Sequence, residues 1–324
     1  LEFVKCFFQK TRENLRKLHK GEIVKNLFII NKFAGKSQSY NSVLSQLERL
    51  NLNNCTVKYT QGVGDATFIA REFVSNTDDF VNVFVCGGDG TINEVFNGIY
   101  DLKNCALAPV PTGSGNDFIR SFGVPKDDFL NIEKLLKGKK IFIDLIKCND
   151  KIGANSVTIG YDCAVAKNVE KFKRWKFITS SFAYKLSLIY CLVNKRKHNF
   201  DIYGDKKALP EIDNTYLLSV TAKGKYYGGG IKCAPLADNS DGYLDFMYIP
   251  TVGILKFLSL LGLFIKGQHV NNPKLSIVYH NKFKEVEYRS NTPVEIGIDG
   301  EIFSVTKATI TVMPKAVQLI LPSN

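Results

Sequence analysis

Four times between residues 25 and 117 a run of strand length, apolar in all but the second, ends in a short loop rich in glycine. The runs lie at 26–30, 56–59, 80–86 and 106–110. Helical spacing follows the first three, with Val43, Leu44, Leu47 and Leu50 on one side over 42–50, a second helix over 66–74, and Ile92, Val95, Phe96 and Ile99 in register over 91–100. The run 80–86 is almost continuously hydrophobic, as expected of a strand buried on both faces. Repeated strand–helix units of this kind imply a parallel sheet with helices on both sides.

Beyond about residue 144 the pattern changes to alternating strands at 156–159, 216–222 and 244–249, with helices expected at 182–192 and 252–266. The expected fold class is α/β. A doubly wound parallel-sheet domain over 25–144 precedes a mostly antiparallel β domain over 145–307. The last strands, near 308–312 and 317–321, either stay with the second domain or return to the first. Residues 1–24 form a basic leader, either a solvated terminal helix or an interfacial amphipathic one. A chain of 324 residues, 45% hydrophobic and 23% charged, is long enough for two cores and excludes a disordered protein.

A net charge of +12 calls for an anionic partner or serves solubility alone. No finger, RNP1-like strand or helix-turn-helix is present, so nucleic acid is not expected. That leaves an anionic membrane surface or a phosphorylated ligand. Lys171, Lys173, Arg174 and Lys176 around Trp175 suit a bilayer, or an ordinary charged helix face. The longest apolar stretch, 252–265, is interrupted by Lys256 and is shorter than the roughly 20 residues of a membrane span. Eight scattered cysteines without a C-x-x-C pair and four isolated histidines offer no zinc or redox motif. Together these predict a cytoplasmic protein held peripherally at the inner face of the membrane, with a homodimer left open.

The loops are Asn31-Lys32-Phe33-Ala34-Gly35-Lys36-Ser37, Thr60-Gln61-Gly62-Val63-Gly64-Asp65, Gly87-Gly88-Asp89-Gly90-Thr91-Ile92-Asn93-Glu94 and Pro111-Thr112-Gly113-Ser114-Gly115-Asn116-Asp117. All four fall at the carboxyl edge of the expected sheet, where open α/β folds bind ligands. Glycine lets backbone approach a phosphate, and a helix starting after the loop points free N–H groups at it. An acid such as Asp89 repels a bare phosphate but suits magnesium-bound water or a ligand hydroxyl. The first loop is not a Walker sequence, because Ile30 stands where its first glycine belongs. The dinucleotide fingerprint fails as well, with Thr67, Asn93 and Phe118 in place of its third glycine.

The third loop resembles the signature of the diacylglycerol kinase catalytic domain family, which includes bacterial lipid kinases and is similar to sphingosine kinases. Its Gly-Gly-Asp-Gly-Thr core is shared with NAD kinases, but the other three loops, 238–245 and Asp299-Gly300-Glu301 follow in the family's order from about residue 25 to the C-terminus. Two mild departures are Lys32, where proline is commoner, and Ser114, where threonine is usual.

The resemblance implies ATP and Mg2+ as cofactors and a membrane lipid as substrate. It places Asn31, Gly35, Lys36, Thr60, Gly87, Gly88, Asp89, Gly90, Thr91, Asn93, Glu94 and Ser114 around the nucleotide. Asp89 and Glu301 are then catalytic, with Glu301 as the base. The family's structural magnesium falls on Asp241 and on the carbonyls of Asp238 and Tyr243. Read without the resemblance, Glu301 is an acid at an Asp-Gly hairpin tip, either solvated or a proton acceptor. Likewise 238–243 is either an ion-free Asp/Asn turn or a cation loop. The leading function is phosphorylation of diacylglycerol to phosphatidic acid. A sphingoid base or monoacylglycerol as acceptor, an NAD kinase, and a non-catalytic nucleotide or lipid sensor are the alternatives.

Overall fold

The computed structural model describes residues 24–35, 37–173, 186–187, 190–191, 198–209, 215–270, 272 and 278–323. The first half alternates β1 (Lys25–Ile30), α1 (Ser37–Leu50), β2 (Cys55–Tyr59), α2 (Asp65–Ser75), β3 (Val81–Gly87), α3 (Asp89–Ile99) and β4 (Cys105–Pro111). These strands pair in parallel in the order β2-β1-β3-β4. Every residue of β3 and β4 is buried, which is why both read as nearly continuous apolar runs, interrupted in β3 only by Asn82, rather than alternating ones. Phe28 stacks on Phe84 at 4.3 Å between ring centroids in the middle of this core. Helix α2 turns Ala66, Ala70 and Val74 inward, four residues apart. Gly98 of α3 lies so close to α2 that a Cβ there would stand 2.6 Å from the Thr67 carbonyl oxygen.

Three one-turn helices, α4 (Asp117–Arg120), α5 (Lys126–Phe129) and α6 (Ile132–Leu136), lead to β5 (Lys139–Cys148), β6 (Lys151–Gly153) and β7 (Ser156–Gly160). The second domain continues with α7 (Tyr161–Lys173), β8 (His198–Asn199), β9 (Asp201–Gly204), β10 (Lys207–Ala208), β11 (Thr215–Ala222), β12 (Leu244–Pro250), α8 (Ile254–Ile265), β13 (Tyr279–Phe283), β14 (Glu285–Ile298) and β15 (Glu301–Leu321). The pairings from β13 through β12, β11, β7 and β14 to β15 are all antiparallel. Alternation along β12 puts Leu244, Phe246 and Tyr248 into one core and Met247 into another on the opposite face, under α8. The fold is thus α/β, a parallel-sheet domain followed by an antiparallel β domain.

Strand β15 answers the question left open at the C-terminus. It pairs first with β14, then runs antiparallel to β5, and its Gln318 and Leu319 pair in parallel with Ala106 and Leu107 of β4. The two expected strands at 308–312 and 317–321 are one strand, broken only by an irregularity where Lys315 takes φ 49°. Helix α7 was not among the expected elements: its apolar positions Tyr161, Ala164 and Val165, which face the core, lie in its first half, and Lys167, Lys171 and Lys173 dominate the second. Most of the expected helix 182–192, the leader and the Arg174–Lys176 part of the basic cluster lie outside the described residues. Among the described residues no helix is long and apolar enough to cross a membrane.

Candidate active site

The four glycine-rich loops meet at the carboxyl edge of the parallel strands, each held by its neighbour. Asn31 donates from Nδ2 to Thr91 Oγ1 at 2.9 Å, tying the first loop to the third. The Gly113 N–H donates to the Gly87 carbonyl at 3.1 Å, and a Cβ on Gly113 would stand 2.4 Å from Gly88 Cα, so only glycine lets the third and fourth loops touch. Gly35 approaches the Thr112 carbonyl just as closely, at φ +73°. Lys32 sits over the Tyr59 ring at 3.9 Å, which gives that departure from the family's proline a packing role.

Helix α3 begins at Asp89, two residues earlier than expected. Gly88 precedes it in extended conformation, so the free N–H groups of the first turn face the loops. A Cβ on Gly62, Gly64 or Gly90 would meet open space, and the buried hydroxyls of Thr60 and Thr112 have no hydrogen-bond partner. Unsatisfied buried donors beside open backbone fit an anion with several acceptor oxygens. Glu94 is engaged in the fold: its Oε2 accepts from the Ala66 N–H at 3.2 Å, and its carbonyl from Thr67 Oγ1, fixing the start of α2. Asn93 is buried and contacts Asn97, whose amide donates to and accepts from the backbone of Ile152 in the second domain. Ser114 is exposed, and Lys36 lies outside the described residues.

Beneath the loops a cavity of about 320 Å³ opens into the second domain. Its body is apolar, walled by Leu217, Leu218, Ile249, Phe257, Leu261 and Phe264. Its polar end carries three carboxylates, Asp89, Asp117 and Asp299. Asp89 Oδ1 accepts from the Phe118 N–H at 3.0 Å. Asp117 Oδ2 accepts from the Gly229 N–H at 2.7 Å, within three successive glycines, Gly228 to Gly230, that all take positive φ. Burial pushes the Asp117 carboxyl up; the Gly229 N–H counters this, and the neighbouring charge of Asp89 adds to the rise. Asp299 accepts from the N–H groups of Ala154, Asn155 and Ser156 at 2.6, 2.9 and 2.9 Å. Burial nevertheless pushes its carboxyl up to about 6.

The sequence carries this arrangement in two tandem segments. Residues 25–148 match the model of the diacylglycerol kinase catalytic domain, and 155–321 that of the YegS C-terminal NAD kinase beta sandwich-like domain. The chain belongs to the diacylglycerol kinase family. By that membership it is a lipid kinase. It is 26% identical over 284 residues to a diacylglycerol kinase of Bacillus subtilis, covering 87% of this chain and 90% of that one. A diacylglycerol kinase of Staphylococcus saprophyticus is 29% identical over 261 residues, 80% and 82% of the two chains. A solved Bacillus anthracis structure, 26% identical, superposes with a TM-score of 0.72 over 91% of this chain and 95% of that one. A second from the same organism, described as a diacylglycerol kinase, shares the fold at 23% identity and a TM-score of 0.67.

Within the family framework Glu301 sits where the sequence puts it, first in β15 after a two-residue Asp299-Gly300 turn with both residues at positive φ. Gly300 and Ile302 on either side line the cavity. The Glu301 carboxylate itself is half exposed and lies 3.6 Å from Lys151 Nζ. The sequence reading did not single out Asp117 or the Gly228–Gly230 turn; the run of three glycines was the available signal.

The turn expected to hold magnesium is built differently. The side chain of Asp238, whose carbonyl was the expected ligand, accepts from the backbone N–H and hydroxyl of Ser240 and caps its own turn. Asp241 Oδ1 and the Tyr243 carbonyl do converge, but on the side-chain ammonium of Lys223, at 2.7 Å each. Burial pushes the Asp241 carboxyl up, and hydrogen bonds from Lys223, Lys282 and the Tyr243 N–H outweigh it and hold it below the usual range. With an ammonium already among its oxygens, this set does not fit a magnesium ion. A lysine directly after the apolar run 216–222 was the overlooked sign.

Proposed function

We propose that this chain transfers the γ-phosphate of ATP, presented as its magnesium complex, to the hydroxyl of a lipid, with diacylglycerol as the principal acceptor and phosphatidic acid as the product. The observation that carries this reading is the continuity of the two half-sites. Asp89 belongs both to the loop cluster with its unpartnered Thr60 and Thr112 hydroxyls and to the wall of the apolar cavity. A phosphate held by the loops and a lipid lying along Leu217, Phe257 and Phe264 would meet at that residue.

Glu301 is the proposed base. Its pairing with Lys151 is a surface contact of the kind worth about 0–1 kcal/mol, so a side-chain rotation toward the cavity mouth is inexpensive. Asp89 and Asp299 shape the polar end and hold the acceptor hydroxyl, while magnesium on the nucleotide supplies neutralisation of developing charge. Helix α8 is apolar on both sides: Phe257, Leu261 and Phe264 face the cavity, and Leu255 and Leu258 are 85% and 51% exposed. We place the bilayer against that outer face, where a lipid enters without leaving an apolar environment.

The test is transfer of label from Mg-ATP to diacylglycerol, monoacylglycerol, ceramide and sphingosine in mixed micelles, and to NAD without them. Label in phosphatidic acid supports the reading. Label in a different lipid replaces the substrate, and label in NAD alone overturns it.

A further inference from the structure

Two of the three oxygens that the family resemblance assigns to a structural magnesium, on Asp241 and Tyr243, hold a lysine instead. Lys223 follows the last residue of β11, and its side chain is completely buried. Its ammonium meets three oxygens, with hydrogen bonds to Asp241 Oδ1 and the Tyr243 carbonyl at 2.7 Å each and an ion pair with Asp144 Oδ2 at 2.9 Å. Magnesium needs oxygens at about 2.0–2.1 Å in an octahedron, and a divalent ion sharing these oxygens would stand against a fixed positive charge. Only one of the two cations can occupy the position.

The electrostatics agree. Asp144 and Asp241 bring two negative charges, Lys223 neutralises one, and Lys282 pairs with the other oxygen of Asp241 and approaches Asp245 at 3.7 Å. His280 Nε2 lies 3.0 Å from the far oxygen of Asp245. The remaining capacity of Asp144 is filled by the backbone N–H groups of Gly242, at 2.7 Å, and Lys315, at 2.9 Å. No oxygen is left waiting for a metal at Asp144 or at Asp241.

The position also explains what the cation is for. Asp144 belongs to β5, which runs beside β15 out of the first domain, and Lys315 marks the irregularity in β15. Residues 239–243 belong to the turn before β12. The backbone N–H groups of Lys223 and Gly224 both donate to the Asn155 carbonyl, while the Asn155 N–H donates to Asp299 in the cavity wall. One buried charge thus joins three strands and stands two hydrogen bonds from the polar end of the cavity.

We infer that Lys223 is a built-in cation that takes the place of the family's structural magnesium, so that the second domain holds no resident metal. Magnesium is then required only with the nucleotide. This inference rests on family membership for the identity of the position and is independent of which lipid is phosphorylated.

Metal binding without nucleotide tests it. The whole chain is titrated with Mn2+ and followed by electron paramagnetic resonance, and is melted in EDTA and in millimolar Mg2+. The expected result is no tightly held ion and the same Tm in both buffers. A bound Mn2+ that Asp241→Asn removes would overturn the inference. Lys223→Ala vacates the position and leaves its oxygens, so its Tm should fall in EDTA and recover by several degrees in Mg2+. Lys223→Met fills the space and should not recover. A folded Lys223→Ala protein indifferent to Mg2+ and Mn2+ would count against the replacement. If that variant does not fold, the Mn2+ titration of the wild-type chain decides alone.

Discussion

The chain buries two polar clusters within reach of one another, and they are finished to different degrees. At the glycine-rich loops the hydroxyls of Thr60 and Thr112 and Oδ1 of Asn116 are buried without a partner. Around Lys223, the ammonium and each oxygen of Asp144 and Asp241 have partners, and the atoms without a hydrogen bond, Asp245 Oδ2 and the Asn239 amide nitrogen, lie at the margin. An unsatisfied buried polar group costs about 1–3 kcal/mol, which a folded chain tolerates where a ligand returns it. On the proposed function the first cluster serves binding, while the second holds the domains in register. Changes in the first should alter activity with little effect on stability, and changes in the second should do the reverse.

The largest expected effect is on chemistry. Glu301→Gln should lower kcat by about 10²–10⁴-fold with an unchanged Tm, because its pair with Lys151 is half exposed. A parallel fall in Tm would move Glu301 to the structural side of the comparison. Lys223→Met comes next, leaving Asp144 and Asp241 without their shared cation. A loss of about 3–5 kcal/mol is expected, seen as a lower Tm before any change in substrate affinity. Retention of wild-type stability would show that the cluster is not the clasp described.

Thr60→Val sharpens the contrast. Removing a hydroxyl that has no partner should leave the nucleotide-free Tm equal or raised. If the hydroxyl serves a phosphate, KM for ATP should rise roughly 10- to 100-fold. An unchanged KM would take Thr60 out of the nucleotide site.

The smallest effect is in pH dependence. With its carboxyl pushed up to about 6, Asp299 keeps a proton in the folded chain that the unfolded chain releases near pH 4. The unfolded state then binds fewer protons between those values, so this contribution to stability falls as pH rises through that window and is flat above it. The Tm advantage of wild type over Asp299→Asn should accordingly be greatest near pH 4 and shrink toward pH 7. An advantage that grows with pH would mean that the three N–H bonds dominate and the carboxyl is ionised throughout.

Much of the first domain is legible in the sequence. The runs at 26–30 and 80–86, the helical spacing of Ile92, Val95, Phe96 and Ile99, and the glycines of the loops are local signals, and β1, β3, α3 and the loops lie where they point. The second domain was less legible because its partners are far apart in sequence. Helix α7 was hidden by the charges at its end, and the joining of 308–312 with 317–321 into one strand depends on β14, β5 and β4, which no local window contains.

The site divides along the same line. Residue order alone determined the loop types, the Asp299-Gly300 turn and the acid that follows it, because chain geometry within a few residues dictates them. Tertiary structure decided which groups meet. It set Glu94 to anchor α2, brought Asp117 and Asp299 to the cavity beside Asp89, and swung Lys223 to Asp144, 79 residues earlier in the chain, and to the carbonyl of Tyr243. A turn of aspartates reads as a cation site in one dimension. Which cation fills it depends on what a distant strand delivers, and here the geometry delivers an ammonium.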